Sequence, residues 1–148
     1  MVRNAFHGLV LGLAVPTLAI TAPAPEQLAR ARDIYATVIG FQTSEGLGQV
    51  PKMAGYLAGL FRAAGFPDSD IHIVPFGETA SLVVRYRGTG RGGRPILLNA
   101  HMDVVTANRA DWERDPFKLI EEKGYYFGRG TWDDKLDVTT LTATFLRL

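Results

Sequence analysis

The chain contains no cysteine in 148 residues, which excludes disulfides, thiolate metal sites, cysteine nucleophiles and a lipoprotein anchor. Histidine is almost as scarce. His7, His72 and His101 are the three present, and His7 lies in an apolar leader, so a three-histidine zinc site cannot be built from the remainder. An excess of one charge is missing too: 16 Lys and Arg against 15 Asp and Glu leave a formal net charge of +1. Nucleic-acid binding needs a basic stripe, and none is present. Arg85, Arg87, Arg91 and Arg94 cluster on strand ends and a Gly-rich loop, the pattern of a solvated hairpin. The apolar run from Leu9 to Ile20 is broken by Pro16 and falls short of the roughly 18 residues of a membrane span. Residues 1–24 pattern instead as a secretory signal, with Arg3 in a short basic start and Ala22-Pro23-Ala24 as an Ala-x-Ala-like exit. The expectation is an exported protein, periplasmic or secreted, with no membrane attachment once the leader is removed.

What the sequence does have is the alternation of helix and strand patterns of an α/β domain. Pro25 and Glu26 open a helix with Leu28, Ala31, Tyr35, Val38 and Ile39 on its apolar face and Gly40 at its end. Pro51 starts a second helix with Met53, Leu57, Leu60, Phe61 and Ala64 on one side and Gly65 as its stop. Ile71 to Pro75 and Thr79 to Tyr86 pattern as strands. Gly88-Thr89-Gly90-Arg91-Gly92-Gly93 lacks the Lys-Ser/Thr of a phosphate loop and runs into a strand pattern, so a hairpin turn is expected there. Pro95 to Ala100 is near-continuously apolar, as in a central strand covered on both faces. Phe117 to Ile120 and Tyr125 to Phe127 flank a Glu122-Lys123-Gly124 turn, and Glu121-Glu122 are its solvated end. A last helix after Asp133 carries Val138, Leu141, Phe145 and Leu148 and reaches Leu148 without a stop signal, so the sequence is expected to be a piece of something longer.

The chemistry gathers in two stretches. In Leu98-Asn99-Ala100-His101-Met102-Asp103-Val104-Val105, residues two apart on an extended chain share a face, so His101 and Asp103 can address one point. A carboxylate beside an imidazole fixes its tautomer and raises its basicity, an arrangement typical of a metal-binding His. The alternative is a plain His101–Asp103 pair. In Gly128-Arg129-Gly130-Thr131-Trp132-Asp133-Asp134-Lys135, two glycines permit a tight approach to Asp133 at a helix start, where a carboxylate can equally be a simple cap.

Together with Trp112 and Asp115-Pro116-Phe117, these stretches resemble the dinuclear zinc exopeptidase and deacylase family, which includes aminoacylases, carnosinases, acetylornithine deacetylase, succinyl-diaminopimelate desuccinylase and glutamate carboxypeptidase. The resemblance implies the N-terminal part of a zinc-hydrolase catalytic domain over residues 25–148, with helices packed on a mixed β-sheet. It makes His101 a ligand of one zinc, Asp103 the carboxylate that orients it, and Asp133 the carboxylate bridging two zinc ions. Imidazole and carboxylate donors would also accept cobalt or manganese. The implied activity is hydrolysis of an amide bond in a small peptide or N-acyl amino acid, with a homodimer as the possible assembly. Two positions depart from the pattern: Trp132 precedes Asp133 where a small residue is usual, and Leu136 follows Lys135 where Gly or Ala is usual. The family's general-base Glu and its remaining ligands follow the bridging Asp beyond Leu148, so this stretch alone is expected to be inactive. The competing expectation is a non-catalytic exported paralogue or binding module.

Overall fold

A computed structural model describes residues 22–148. All of the 1–24 leader except its last three residues lies outside the described residues. The element order is α1 (Pro25–Gly40), α2 (Val50–Ala63), β1 (Ile71–Phe76), β2 (Thr79–Val84), β3 (Ile120–Glu122), β4 (Tyr125–Phe127) and α3 (Lys135–Phe145). Among the described residues no helix is long and apolar enough to cross a membrane.

The helices begin where local chemistry favours it. Pro25 occupies the first turn of α1, where its missing N–H costs nothing, Glu26 faces the positive helix end, and the Gln27 side chain accepts the Ala24 N–H at 3.0 Å. The buried face of α1 is Ile34, Tyr35, Val38 and Ile39, which meet Met53 and Leu57 of α2 and Val138 of α3 in one core. Ile34 belongs to that face, whereas Leu28, 56 % exposed, lies nearly two turns before it and does not. At the far side of α2, Ala58 and Phe61 pack on Ile71 of β1. Fully burying an aliphatic side chain of this size contributes roughly 1.5–3 kcal/mol.

The fold is α/β, and its strands form two separate antiparallel pairs. β1 and β2 pair from Ile71 opposite Val84 to Phe76 opposite Thr79, and β3 and β4 from Ile120 opposite Phe127 to Glu122 opposite Tyr125. Lys123 (φ 52°) and Gly124 (φ 81°) make the second turn left-handed, as a two-residue hairpin turn requires. Two expectations are corrected. Residues 95–100 have no regular secondary structure and pair with no strand, and Ile96 and Leu97 are each 87 % exposed. With that ladder absent, the Gly88–Gly93 stretch is an irregular connection and makes no hairpin turn. An apolar extended segment becomes a strand only where a neighbour supplies hydrogen bonds, and here β2 stands apart from it across a groove of about 410 Å³.

In α3 the buried stripe is Lys135, Val138, Thr139 and Thr142. Leu141 and Phe145, expected at the centre of that face, are half-buried beside the groove.

Candidate metal centre

The His101 arm is built from the loop after α1. Thr43, fully buried, donates its hydroxyl to the Met102 carbonyl at 2.7 Å, and its own carbonyl accepts the Val104 N–H at 3.3 Å. These two bonds flank Asp103 and hold residues 102–104 against the loop without a regular strand. His101 Nδ1 lies 3.0 Å from the Asp103 carbonyl and 3.5 Å from its carboxylate Oδ1. The closer orienting contact therefore comes from the main chain of Asp103.

The second arm is the turn from Gly128 to Asp134. A side chain at Gly128 would press on Ile39 and Thr131, and one at Gly130 (φ 90°) would come within 2.9 Å of the Lys135 stem and 3.0 Å of Val104. Glycine is required at both places for the turn to lie this close to α1 and to the His101 arm. The Arg129 guanidinium stacks over Trp112 at 5.2 Å, which packs that loop beneath the turn.

The two arms meet. His101 Nε2 is 2.8 Å from Asp133 Oδ1, and the His101 N–H donates to Asp134 Oδ2 at 3.0 Å. The Asp134 side chain makes no capping bond to α3, although Asp134 is its N-cap residue, so its carboxylate is committed to the His101 arm. Partial burial disfavours the charged imidazole, but the Asp133 hydrogen bond, the Asp103 carbonyl and both carboxylate charges outweigh it and raise the His101 pKa above its usual value. The Asp134 carboxylate in turn raises Asp137.

The donor chemistry suits a transition-metal cation. Imidazole nitrogen and carboxylate oxygen are zinc ligands at about 2.0–2.2 Å, and tetrahedral angles set two of them roughly 3.4 Å apart on one ion. At 2.8 Å the two atoms are in direct hydrogen-bond contact, and a small opening of the pair would admit an ion. Among the described residues no group of three or more His, Cys, Asp or Glu is arranged to hold a metal. Around the pair is a pocket of about 340 Å³ lined by His101, Asp103, Val105, Arg129, Trp132 and Asp133, among others. Trp132, 86 % exposed, stands at its rim. No glutamate lines it.

A paired imidazole and carboxylate on an α/β scaffold is an arrangement that metallohydrolases use. Residues 97–148 match Peptidase family M20/M25/M40. The chain is 33% identical over 123 residues to acetylornithine deacetylase of Klebsiella pneumoniae, covering 74% of this chain and 31% of that protein. It is 34% identical over 79 residues to acetylornithine deacetylase of Dictyostelium discoideum, covering 51% and 18%. It is also 42% identical over 64 residues to the human N-fatty-acyl-amino acid synthase/hydrolase PM20D1, covering 43% and 13%. The chain spans less than a third of the length of these relatives.

Sequence reasoning placed His101, Asp103 and Asp133 together only through the family resemblance, because 30 residues separate Asp103 from Asp133. It gave no role to Asp134, whose place at a helix start is equally that of a simple cap, or to Thr43, whose polar side chain in a loop carries no signal of burial.

Proposed function

We propose that this chain forms the N-terminal part of a zinc-dependent amide hydrolase acting on N-acyl amino acids or small peptides, with His101 and Asp133 as metal ligands. The observation that carries the reading is the 2.8 Å approach of His101 Nε2 to Asp133 Oδ1, with Nδ1 already engaged by Asp103. Nδ1 donates to the Asp103 carbonyl, which fixes the ring's direction, while Nε2 donates to Asp133 in the metal-free chain and must give up that proton before its lone pair meets a metal. Asp103 is thereby the orienting residue, its carboxylate adding negative charge beside the ring. Zinc is the favoured ion, in a pair once the donor set is complete, with cobalt or manganese as substitutes. When bound, such a cation lowers the pKa of a water toward neutrality and polarises the scissile carbonyl.

The names of the relatives, acetylornithine deacetylase and an N-fatty-acyl-amino acid synthase/hydrolase, support an N-acyl amino acid as substrate. Trp132 and Val105 line the pocket with apolar surface on which an acyl group can rest. Proton transfer from the attacking water needs a general base, and inactivity of this stretch by itself is part of the same proposal. Export by the 1–24 leader and homodimer formation belong to the same proposal. A second reading, a binding module without catalysis, is favoured by the two-donor set.

Zinc titration of the chain tests the assignment: retained zinc that falls at least tenfold in both His101→Ala and Asp133→Ala is expected. Metal content unchanged in both variants overturns it. Amide hydrolysis by the purified chain overturns the inactivity, and a longer chain that holds zinc without turnover establishes the binding module.

A further inference from the structure

Both arms of the site are fastened to the same helix end. Thr43, three residues past α1, holds Met102 and Val104 and so fixes His101. The opposite arm is reached from α1 twice. The Tyr35 hydroxyl donates to the Thr131 carbonyl at 2.7 Å, and the Lys135 ammonium donates to the Phe41 carbonyl at 2.5 Å, across 96 and 94 residues of sequence. These bonds bracket Trp132, Asp133 and Asp134 on both sides.

Lys135 is an unusual choice for such a place. It is completely buried, and burial alone depresses its pKa, to about 8. Simple packing would favour Leu or Met there, since a buried ammonium without an acidic partner carries a desolvation cost. What the ammonium gains is the negative end of α1, where the carbonyls past the last helical turn lack helical N–H partners. The Lys135 N–H also closes the turn on the Gly130 carbonyl at 3.0 Å, and the Lys135 stem fills the space that Gly130 leaves open.

We infer that Tyr35 and Lys135 are positioning residues that hold the Asp133–Asp134 turn against His101, so that the two donors face each other before any metal arrives. The inference rests on the metal-site reading for its consequence, but its geometric part can be measured without metal. The reporter is the His101 amide, which donates to Asp134 and exchanges with solvent faster once the turn drifts away.

The experiment is amide hydrogen exchange on the full chain, metal-free, comparing the parent with Lys135→Met, which keeps the stem and removes the ammonium, and with Tyr35→Phe, which removes one hydroxyl. The expected result is His101 exchange at least tenfold faster in Lys135→Met and about threefold faster in Tyr35→Phe, with amides of α2 and of the β1–β2 pair unchanged. Zinc affinity, measured separately, falls about tenfold in Lys135→Met, the loss usual when a residue that supports metal ligands is removed. Unchanged His101 exchange in both variants overturns the inference. So does faster exchange spread evenly over the molecule, or loss of the fold in both, because either assigns the two residues to general stability. Where the parent binds no zinc while the exchange pattern holds, the metal reading fails and the positioning role stands.

Discussion

Three titrating residues around the site pull in different directions. The raised pKa of His101 means that its interactions stabilise the fold below the unfolded pKa near 6.5, a contribution lost as pH rises through the folded value. Only the neutral ring binds metal, so proton and metal compete, and the raised His101 pKa makes zinc retention fall earlier on acidification than it would for an ordinary imidazole of equal affinity. In Asp133→Asn the His101 titration, followed by NMR of the metal-free chain, moves down, because the carboxylate contact that favours the imidazolium is weakened. An unmoved titration would show that Asp133 and His101 do not meet in solution. Lys135 has the opposite sign. Its pKa is about 8 in the fold against 10.5 for a free side chain, so between those values the unfolded chain binds more protons and stability increases with pH. From pH 8 to 9.5 the gain is on the order of 2 kcal/mol, at 1.36 kcal/mol per pH unit. Tyr35, pushed up to about 12 by burial and by the neighbouring Tyr126, reverses the trend above pH 10, where the unfolded chain loses the phenolic proton first. Urea denaturation across that range shows a rise and then a fall, and in Lys135→Met the rise is absent.

Among the elements, those with a self-contained signal were legible. α1 and α2 carry Pro at the start, an apolar stripe at helical spacing and Gly near the end, and both form as the pattern demands. The β3–β4 hairpin follows from Lys123-Gly124 and the flanking apolar residues. Residues 95–100 were not legible, because their pattern states that they are apolar and extended and says nothing about a hydrogen-bonding neighbour. α3 was half legible: three of the four residues in its buried stripe, Lys135, Thr139 and Thr142, are polar, and polar side chains signal solvent. The site was legible as a list of residue types and not as geometry, since neither Thr43 nor Lys135 signals burial and Asp134 looks like a cap. The turn that carries Asp133 makes the sharpest demand on sequence. Gly130→Ala adds a methyl group within 2.9 Å of the Lys135 stem at φ 90°, which is expected to cost about 2 kcal/mol and to separate the two arms. Chemical denaturation gives the first quantity, and loss of His101 amide protection gives the second.

For the molecule as a whole, burial is uneven, and the unevenness predicts where substitution matters. Ile39 lies wholly inside the core shared by α1, α2 and α3, so Ile39→Ala leaves a cavity and is expected to cost about 2–4 kcal/mol. Ile96 and Leu97 are of similar size and greasiness but stand in solvent beside the groove between β2, residues 96–103 and α3. Replacing both with Lys removes no packed contact, so stability changes by no more than about 0.5 kcal/mol. Their apolar surface is nevertheless continuous with the groove, which is lined by Leu57, Phe61, Leu82, Leu141 and Phe145. Exposed apolar surface of this kind binds hydrophobic dyes. The parent chain therefore enhances anilinonaphthalene sulfonate fluorescence, and the Ile96→Lys, Leu97→Lys double variant reduces that signal while its denaturation midpoint stays in place. A midpoint that falls as far as in Ile39→Ala would mean that residues 96 and 97 are packed in solution, and that residues 95–100 have found the strand partner they lack among the described residues.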